Sequence, residues 1–501
     1  MPDVDAGFLA LPRSTLADAA LSRAGDLGAT HADFRLERIR TAEIGLRDGK
    51  LDSTLDDEDL GMAVRVIHDG AWGFASGIDR TSEAAALLAD QAVATARVSR
   101  VLNFEPVELA AEAVHRDITW VSSYDINPFD VPVDERIGLL TELSERLLGA
   151  DGVDHVDAHI TQVLENKYYA DLSGTTTTQQ RVRISPRLTA VQVDRAGGGF
   201  SSMRTLAPPA GRGWEYLTGT GWDLAAELAE LPELLAEHAA APSVEAGVYD
   251  LVIDPSNLWL TIHESIGHAT ELDRALGYEA AYAGTSFATI DRLGSLEYGS
   301  SIMNVTGDRT APHGLATIGY DDDGVATTEF DIISSGILVG YQLNRQMALA
   351  NGLGASNGCA LADSPGHIPL QRMANVSLRP DPAGGSTEDL IEAVDNGIYV
   401  VGDKSWSIDM QRYNFQFTGQ RFFRIVHGRL AGQVRDVAYQ ATTTDFWRSM
   451  RATGGQRTYQ LGGAFNCGKG QPGQVAPVSH GCPSALFRGV KVLNTVSEGG
   501  R

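Results

Sequence analysis

The chain is poor in the features that mark several large protein classes. It has only three cysteines in 501 residues, Cys359, Cys467 and Cys482. So odd and sparse a set builds no disulfide framework, and it fits a reducing compartment where thiols stay free or bind metal. No stretch approaches the ~18–20 uninterrupted apolar residues of a membrane helix. The start, Met1-Pro2-Asp3-Val4-Asp5, has neither a basic segment nor a long apolar one, so no secretory signal is read there. The expected location is the cytoplasm, with no membrane partner. Basic runs are missing as well. Lys and Arg total 40 against 65 Asp and Glu, a net charge of −25. A nucleic-acid binder needs a Lys/Arg surface to displace counterions from phosphates, so no nucleic-acid partner is expected. Attachment to anionic lipid is disfavoured for the same reason.

Glycine is abundant. Its 54 residues exceed the usual share of about 7% and point to many turns, hence much β-structure. Apolar residues make up 43%, which excludes wholesale disorder. At roughly 100–200 residues per domain, the length suits two to four domains.

The apolar spacing predicts a helix over 13–29, then alternation. Asp33-Phe34-Arg35-Leu36-Glu37-Arg38-Ile39 reads as a half-buried strand, and Asp48-Gly49 and Asp69-Gly70 as hairpin turns. A helix over about 82–98 follows. The order then recurs: a helix over about 134–148, strands over 156–164, 167–172, 181–184 and 188–193, and a helix over about 224–239. His31-Ala32-Asp33-Phe34 matches His155-Val156-Asp157-Ala158 locally, and we read an internal duplication spanning about 10–100 and 130–240. Ala240-Ala241-Pro242-Ser243 reads as a linker, placing a boundary near 245. The expected fold class is α+β. Its N-terminal region, 1–245, carries antiparallel sheets and helices. Its C-terminal β-rich region, 246–501, carries a metal-binding helix.

That helix opens at Asp254-Pro255, an N-cap followed by proline in the first turn. It contains His263-Glu264-Ser265-Ile266-Gly267-His268. Zinc hydrolases use two neutral imidazoles to hold the metal, an open position for water and a carboxylate to take its proton. In the usual motif the histidines sit one turn apart, but here the spacing is five. Residues i and i+5 of a regular helix are about 500° apart and diverge by roughly 140°. A π-type turn would bring them together, and Gly267 is expected to tolerate that distortion. A third ligand is needed. Glu271 and Asp273 lie nearby. Cys467, in Asn466-Cys467-Gly468-Lys469-Gly470, offers a thiolate that Lys469 would help deprotonate. Cys482 and His480 are further candidates, and spacing alone does not choose among them. A buried inert thiol is the commoner fate of such a cysteine.

These residues resemble the TldD/PmbA metalloprotease family, in its motif-bearing TldD type. Gly70-Ala71-Trp72-Gly73-Phe74-Ala75, Asp322-Asp323-Gly324, Ser335-Gly336-Ile337-Leu338 and Arg372-Met373-Ala374-Asn375 match its other elements, so that the likeness runs from about 10 to 495. The resemblance implies a zinc-dependent peptidase acting on leader peptides or unfolded polypeptides. It implies His263, His268 and Cys467 as ligands and Glu264 as the catalytic carboxylate. It also implies a homodimer, or a heterodimer with a PmbA-type subunit lacking the motif. Members have been called modulators of DNA gyrase, which the charge argument disfavours. Candidate donors to the reacting carbonyl are His313, His367, Arg372 and Tyr399, although each residue type more often serves structure. The competing readings are a metal-dependent hydrolase of non-peptide amides and a non-catalytic scaffold. A substrate panel and metal content separate them.

Overall fold

The computed structural model describes residues 3–102, 105–195 and 197–498; Met1 and Pro2 of the acidic start lie outside them. The N-terminal half is built on one sheet. Its strands are β1 (His31–Arg47), β2 (Lys50–His68), β3 (Ala71–Gly77), β4 (Ile118–Val121), β5 (His155–Asp171), β6 (Thr176–Asp194) and β7 (Gly199–Arg204). They run in the order β3-β2-β1-β5-β6-β4, with β7 on β6. All neighbours are antiparallel except β4 and β6. Asp48-Gly49 and Asp69-Gly70 form the tight turns, all four residues at positive φ, as such hairpin turns require. The hairpins β1–β2 and β5–β6 have equal strand lengths of 17 and 19 residues and meet along β1 and β5. The repeated order of helix, strands and helix is therefore laid out side by side in one sheet.

Helices α1 (Ala6–Leu9), α2 (Arg13–Asp26) and α3 (Ser82–Ser99) form one core with Phe34, Leu36, Val64 and Val66. Helices α4 (Val133–Leu148) and α5 (Leu224–Ala240) form another with Ile160, Ile184 and Leu188. Side chains alternate faces along a strand, so these apolar residues cover one face and Asp33, Arg35, Glu37, Glu165, Lys167, Arg181 and Arg183 project from the other. The expectation of a half-buried strand fails here, because the charged face is buried too. It packs on the Asp321-Asp322-Asp323 turn of the C-terminal half. Asp322 accepts from Arg35 Nη1 at 3.0 Å and Lys167 Nζ at 2.9 Å. Arg65 donates to Asp33 Oδ2 and Asp323 Oδ1, each at 2.8 Å. This charged burial also explains why β5 is one strand where apolar alternation suggested two. Glu165 and Asn166 interrupt the pattern but not the ladder.

The C-terminal half starts at β8 (Gly247–Ile253), which leads directly into α6 (Pro255–Ile262). Beyond α6 the strands β9 (Val305–Asp308), β10 (Glu329–Ser334), β11 (Ile337–Leu338) and β14 (Asn375–Leu378) make a four-stranded sheet, and β12 (Ala360–Leu361) and β13 (Leu370–Gln371) a small ribbon. The last strands are β15 (Asn396–Ile408), β16 (Asn414–Val426), β17 (Arg429–Gln433), β18 (Val437–Thr442), β19 (Met450–Thr453), β20 (Gln460–Lys469), β21 (Gln474–Cys482) and β22 (Ala485–Asn494). The pairings β15-β8-β22-β18-β16 return to β15 and close a ring of five strands. Closure removes the exposed edges an open sheet would present. The hairpin β20–β21 lies apart from this ring and packs along α6. Among the described residues no helix is long and apolar enough to cross a membrane.

Candidate metal centre

Asp254 caps α6 by accepting from Ser256 N at 2.9 Å, and Tyr399 Oη donates to its other oxygen at 2.8 Å. Helix α6 then passes into a π-turn, His263–Gly267, in which His268 N–H donates to the His263 carbonyl. A short 3-10 turn, His268–Thr270, follows. Changing helix type frees carbonyls, which must find donors when buried. Gln342 Nε2 donates to Gly267 O at 2.7 Å, Thr270 Oγ1 to Ile266 O at 2.8 Å and Tyr298 Oη to Ser265 O. Gly267 has a role other than the expected one. Its φ of −52° is ordinary helix, so no backbone freedom is used. A Cβ there would meet Met373 Sδ at 2.6 Å, so glycine leaves room for the end of the Met373 side chain.

The turn brings the two imidazoles together, with ring centroids 4.7 Å apart. Cys467 on β20 joins them from across the hairpin, and one donor atom from each of the three lies within 4.8 Å of the others. Cys467 Sγ is 3.8 Å from His268 Nε2.

Hydrogen bonds fix which ring nitrogen each histidine presents. His268 Nδ1–H donates to Glu271 Oε2 at 2.9 Å, leaving Nε2 for the centre. His480 Nδ1–H donates to Val376 O at 2.8 Å, because a carbonyl only accepts. The Nε2 of neutral His480 is therefore an acceptor, and His263 Nδ1–H donates to it at 2.7 Å. His263 thus also presents Nε2. Burial holds His268 near pKa 3 and His480 near 4, and pushes His263 well below the usual histidine value, so all three rings are neutral. Neutral imidazoles are what a metal requires. Burial also raises the Cys467 thiol to about 12, against the pull of Arg372. A divalent cation would supply the missing positive charge and deprotonate it. Two imidazoles and one thiol, all buried, suit zinc.

The remaining sequence candidates lie in the second layer or elsewhere. Glu271 orients His268. Lys469 lowers the thiol pKa only weakly, less than Arg372 does, and its ammonium is held by Glu271 at 3.2 Å, Asp273 at 2.8 Å and Glu279 at 3.1 Å. Cys482 lies beneath the start of α6, 3.8 Å from Pro255 O, and Cys359 is buried elsewhere. Arg372 donates to Cys467 O behind the thiol, Tyr399 to Asp254, His313 to Gly211 O and His367 to Asp363. None of these four lines the cleft over the centre.

That cleft has a volume of about 1350 Å³. His263, Glu264, His268 and Cys467 form its floor, and Glu43, Arg47, Asp157 and Arg187 from the N-terminal sheet line its far side. Glu264 is buried, which raises its pKa, and Arg412 donates to its carboxylate. Arg412 lies in the turn of the β15–β16 hairpin, 148 residues downstream. No spacing motif marks it.

A profile described as the PmbA/TldA metallopeptidase C-terminal domain matches residues 246–494, and one described as domain 1 of the same family matches residues 32–96. The chain belongs to the TldD/PmbA metallopeptidase family. A metalloprotease of Methanothermobacter thermautotrophicus is 28% identical, the alignment covering 93% of this chain and 96% of that protein. A Saccharolobus solfataricus protein named zinc metalloprotease TldD homolog is 24% identical over 94% of this chain and 98% of its own length. Two solved structures share the fold. One is a Thermotoga maritima protein described as a proposed modulator of a DNA gyrase, with TM-score 0.76 and 16% identity, covering 96% of this chain and 100% of that one. The other is TldE of Thermococcus kodakarensis, with TM-score 0.70 and 15% identity, covering 95% and 99%.

Proposed function

We propose that this family member is a zinc-dependent peptidase that hydrolyses peptide bonds in unfolded polypeptides or leader peptides. His263, His268 and Cys467 hold the metal, and Glu264 is the general base. The observation that carries this reading is the convergence of three buried donor atoms within 4.8 Å at the floor of a cleft that Glu264 also lines. When bound, zinc polarises a carbonyl and lowers the pKa of water towards ~7. Glu264 takes a proton from the attacking water, whose oxygen bonds to the scissile carbonyl carbon. The carbon–nitrogen bond then breaks, Glu264 returns the proton to the amine nitrogen, and the products are a carboxylic acid and an amine, between which the second water proton then passes to leave carboxylate and ammonium. Burial suits Glu264 to this work, since a raised pKa makes it a stronger base and a ready donor afterwards.

A curated relative named as a zinc metalloprotease supports the choice of metal. A dimer, either of two copies or with a PmbA-type subunit, belongs to the same proposal as what the family resemblance implies. The division into an N-terminal region, 1–245, and a metal-holding region, 246–501, and a cytoplasmic location belong to the same proposal. The test is zinc content of the purified chain measured beside cleavage of an unstructured peptide, with and without chelator. About one zinc per chain and chelator-sensitive cleavage are expected. Zinc without peptide cleavage would redirect the reading to non-peptide amides, and absence of zinc to a scaffold.

A further inference from the structure

We propose that Arg412 is the catalytic donor that neutralises the negative charge developing on the scissile carbonyl oxygen. This rests on the peptidase reading above and adds a residue that sequence reasoning did not supply. The backbone beneath Arg412 is fixed. The Asp409 carboxylate accepts from the N–H groups of Gln411, Tyr413 and Asn414 at 3.1, 2.8 and 3.0 Å, and from Asn414 Nδ2 at 2.6 Å. Arg412 itself has φ +64°, and its carbonyl accepts from Thr443 Oγ1 at 2.7 Å. The loop thus aims the guanidinium at the cleft floor without help from a substrate.

The guanidinium is largely buried. It pairs with Glu264 through Nη1, while Nε, also buried, has no partner. Before reaction one negative charge rests on Glu264. When Glu264 accepts the proton of the attacking water, that charge moves to the carbonyl oxygen. A guanidinium with several fixed donors can hold both positions, so its counter-charge is kept throughout the step. Arg274, which also lines the cleft, gives Nη1 to Ala283 O at 2.6 Å and Nη2 to Glu279 at 3.3 Å, and so is turned away from Glu264.

The left-handed backbone at 412 favours glycine and asparagine, so Arg412→Gly and Arg412→Asn both suit the fold. Four quantities are measured on each variant and the unaltered chain: zinc content, kcat, affinity for a peptide substrate in a Glu264→Gln background, and affinity for a phosphinic peptide bearing a tetrahedral anionic centre. Zinc content and peptide affinity should be unchanged. The kcat should fall about 10²–10³-fold, as for loss of one oxyanion donor. Phosphinic-peptide affinity should fall by a similar factor, and added guanidinium ion should restore part of the activity of Arg412→Gly. Unchanged kcat overturns the proposal. So does a fall in kcat with full affinity for the phosphinic peptide, since Arg412 would then act only through Glu264. If the unaltered chain holds no zinc and cleaves no peptide, the peptidase reading itself fails, and that result is distinct from either outcome.

Discussion

His480 stands between a backbone carbonyl and a candidate metal ligand: its Nδ1 is 2.8 Å from Val376 O and its Nε2 2.7 Å from His263 Nδ1. The relay leaves His263 one way to present a lone pair. His480→Phe keeps the ring volume and removes the acceptor. Zinc affinity should fall about 10–100-fold, the usual effect of losing such an outer partner. Competition with a chromophoric chelator measures it, and unchanged affinity would remove His480 from the centre.

Cys467→Ser replaces the thiol with a hydroxyl that does not ionise at neutral pH. Zinc stoichiometry after dialysis should drop well below one per chain. Cys482 is no substitute, being packed against the start of α6. Full stoichiometry at unchanged affinity would reassign the third ligand to Glu271.

The buried histidines should each cost the metal-free chain stability as pH falls below ~6.5. His263, His268 and His480 are neutral in the fold down to pKa values near 3 and 4 for the latter two, whereas the unfolded chain protonates them near 6.5. The unfolded state then binds more protons, and each such histidine lowers stability by about 1.4 kcal/mol per pH unit, until the folded pKa is reached. Glu264 and Asp273, raised by burial, act in the opposite sense, but Glu271, lowered chiefly by Lys469, acts with the histidines. Glu37 and Asp321, raised by burial to about 7 and about 8, also act in the opposite sense, so the histidine contribution is read by difference. The melting midpoint of the chelated chain should fall further, or rise less, between pH 7 and 5 than that of chelated His480→Phe, and an equal change in the two would contradict a neutral His480 in the fold.

Asp322 binds two buried cations that have come from the other half of the chain. Asp322→Asn leaves Arg35 and Lys167 without this counter-charge, and breaking a buried pair costs about 3–5 kcal/mol. The midpoint of urea unfolding should fall accordingly. Loss of less than about 1 kcal/mol would mean that Glu37 or water compensates.

Local chemistry explains what was legible in the sequence. Asp48-Gly49 and Asp69-Gly70 announced their turns because only a few residue types accept positive φ. Asp254-Pro255 announced α6, and the five-residue histidine spacing announced the π-turn, because a shared centre is geometrically impossible without one. Residues that act through tertiary approach stayed hidden. Arg412 reaches Glu264 from a hairpin with no motif, and His480 reads as a stray histidine until β21 is laid beside α6. The charged face of β1 and β5 looked solvated because its partners, Asp322 and Asp323, lie about 150–290 residues away and no periodicity links them. Closure of the five-stranded ring depends on the parallel contact of β8 with β15, which strand patterns alone do not encode.

The cleft is walled on one side by the N-terminal sheet and floored by the C-terminal half, and the Asp321–Asp323 turn clamps the two together through Arg35, Arg65 and Lys167. Prying them apart would strip ammonium and guanidinium groups of their counterions in a dry interior, so the bore of the passage is set by the fold and not by the visitor.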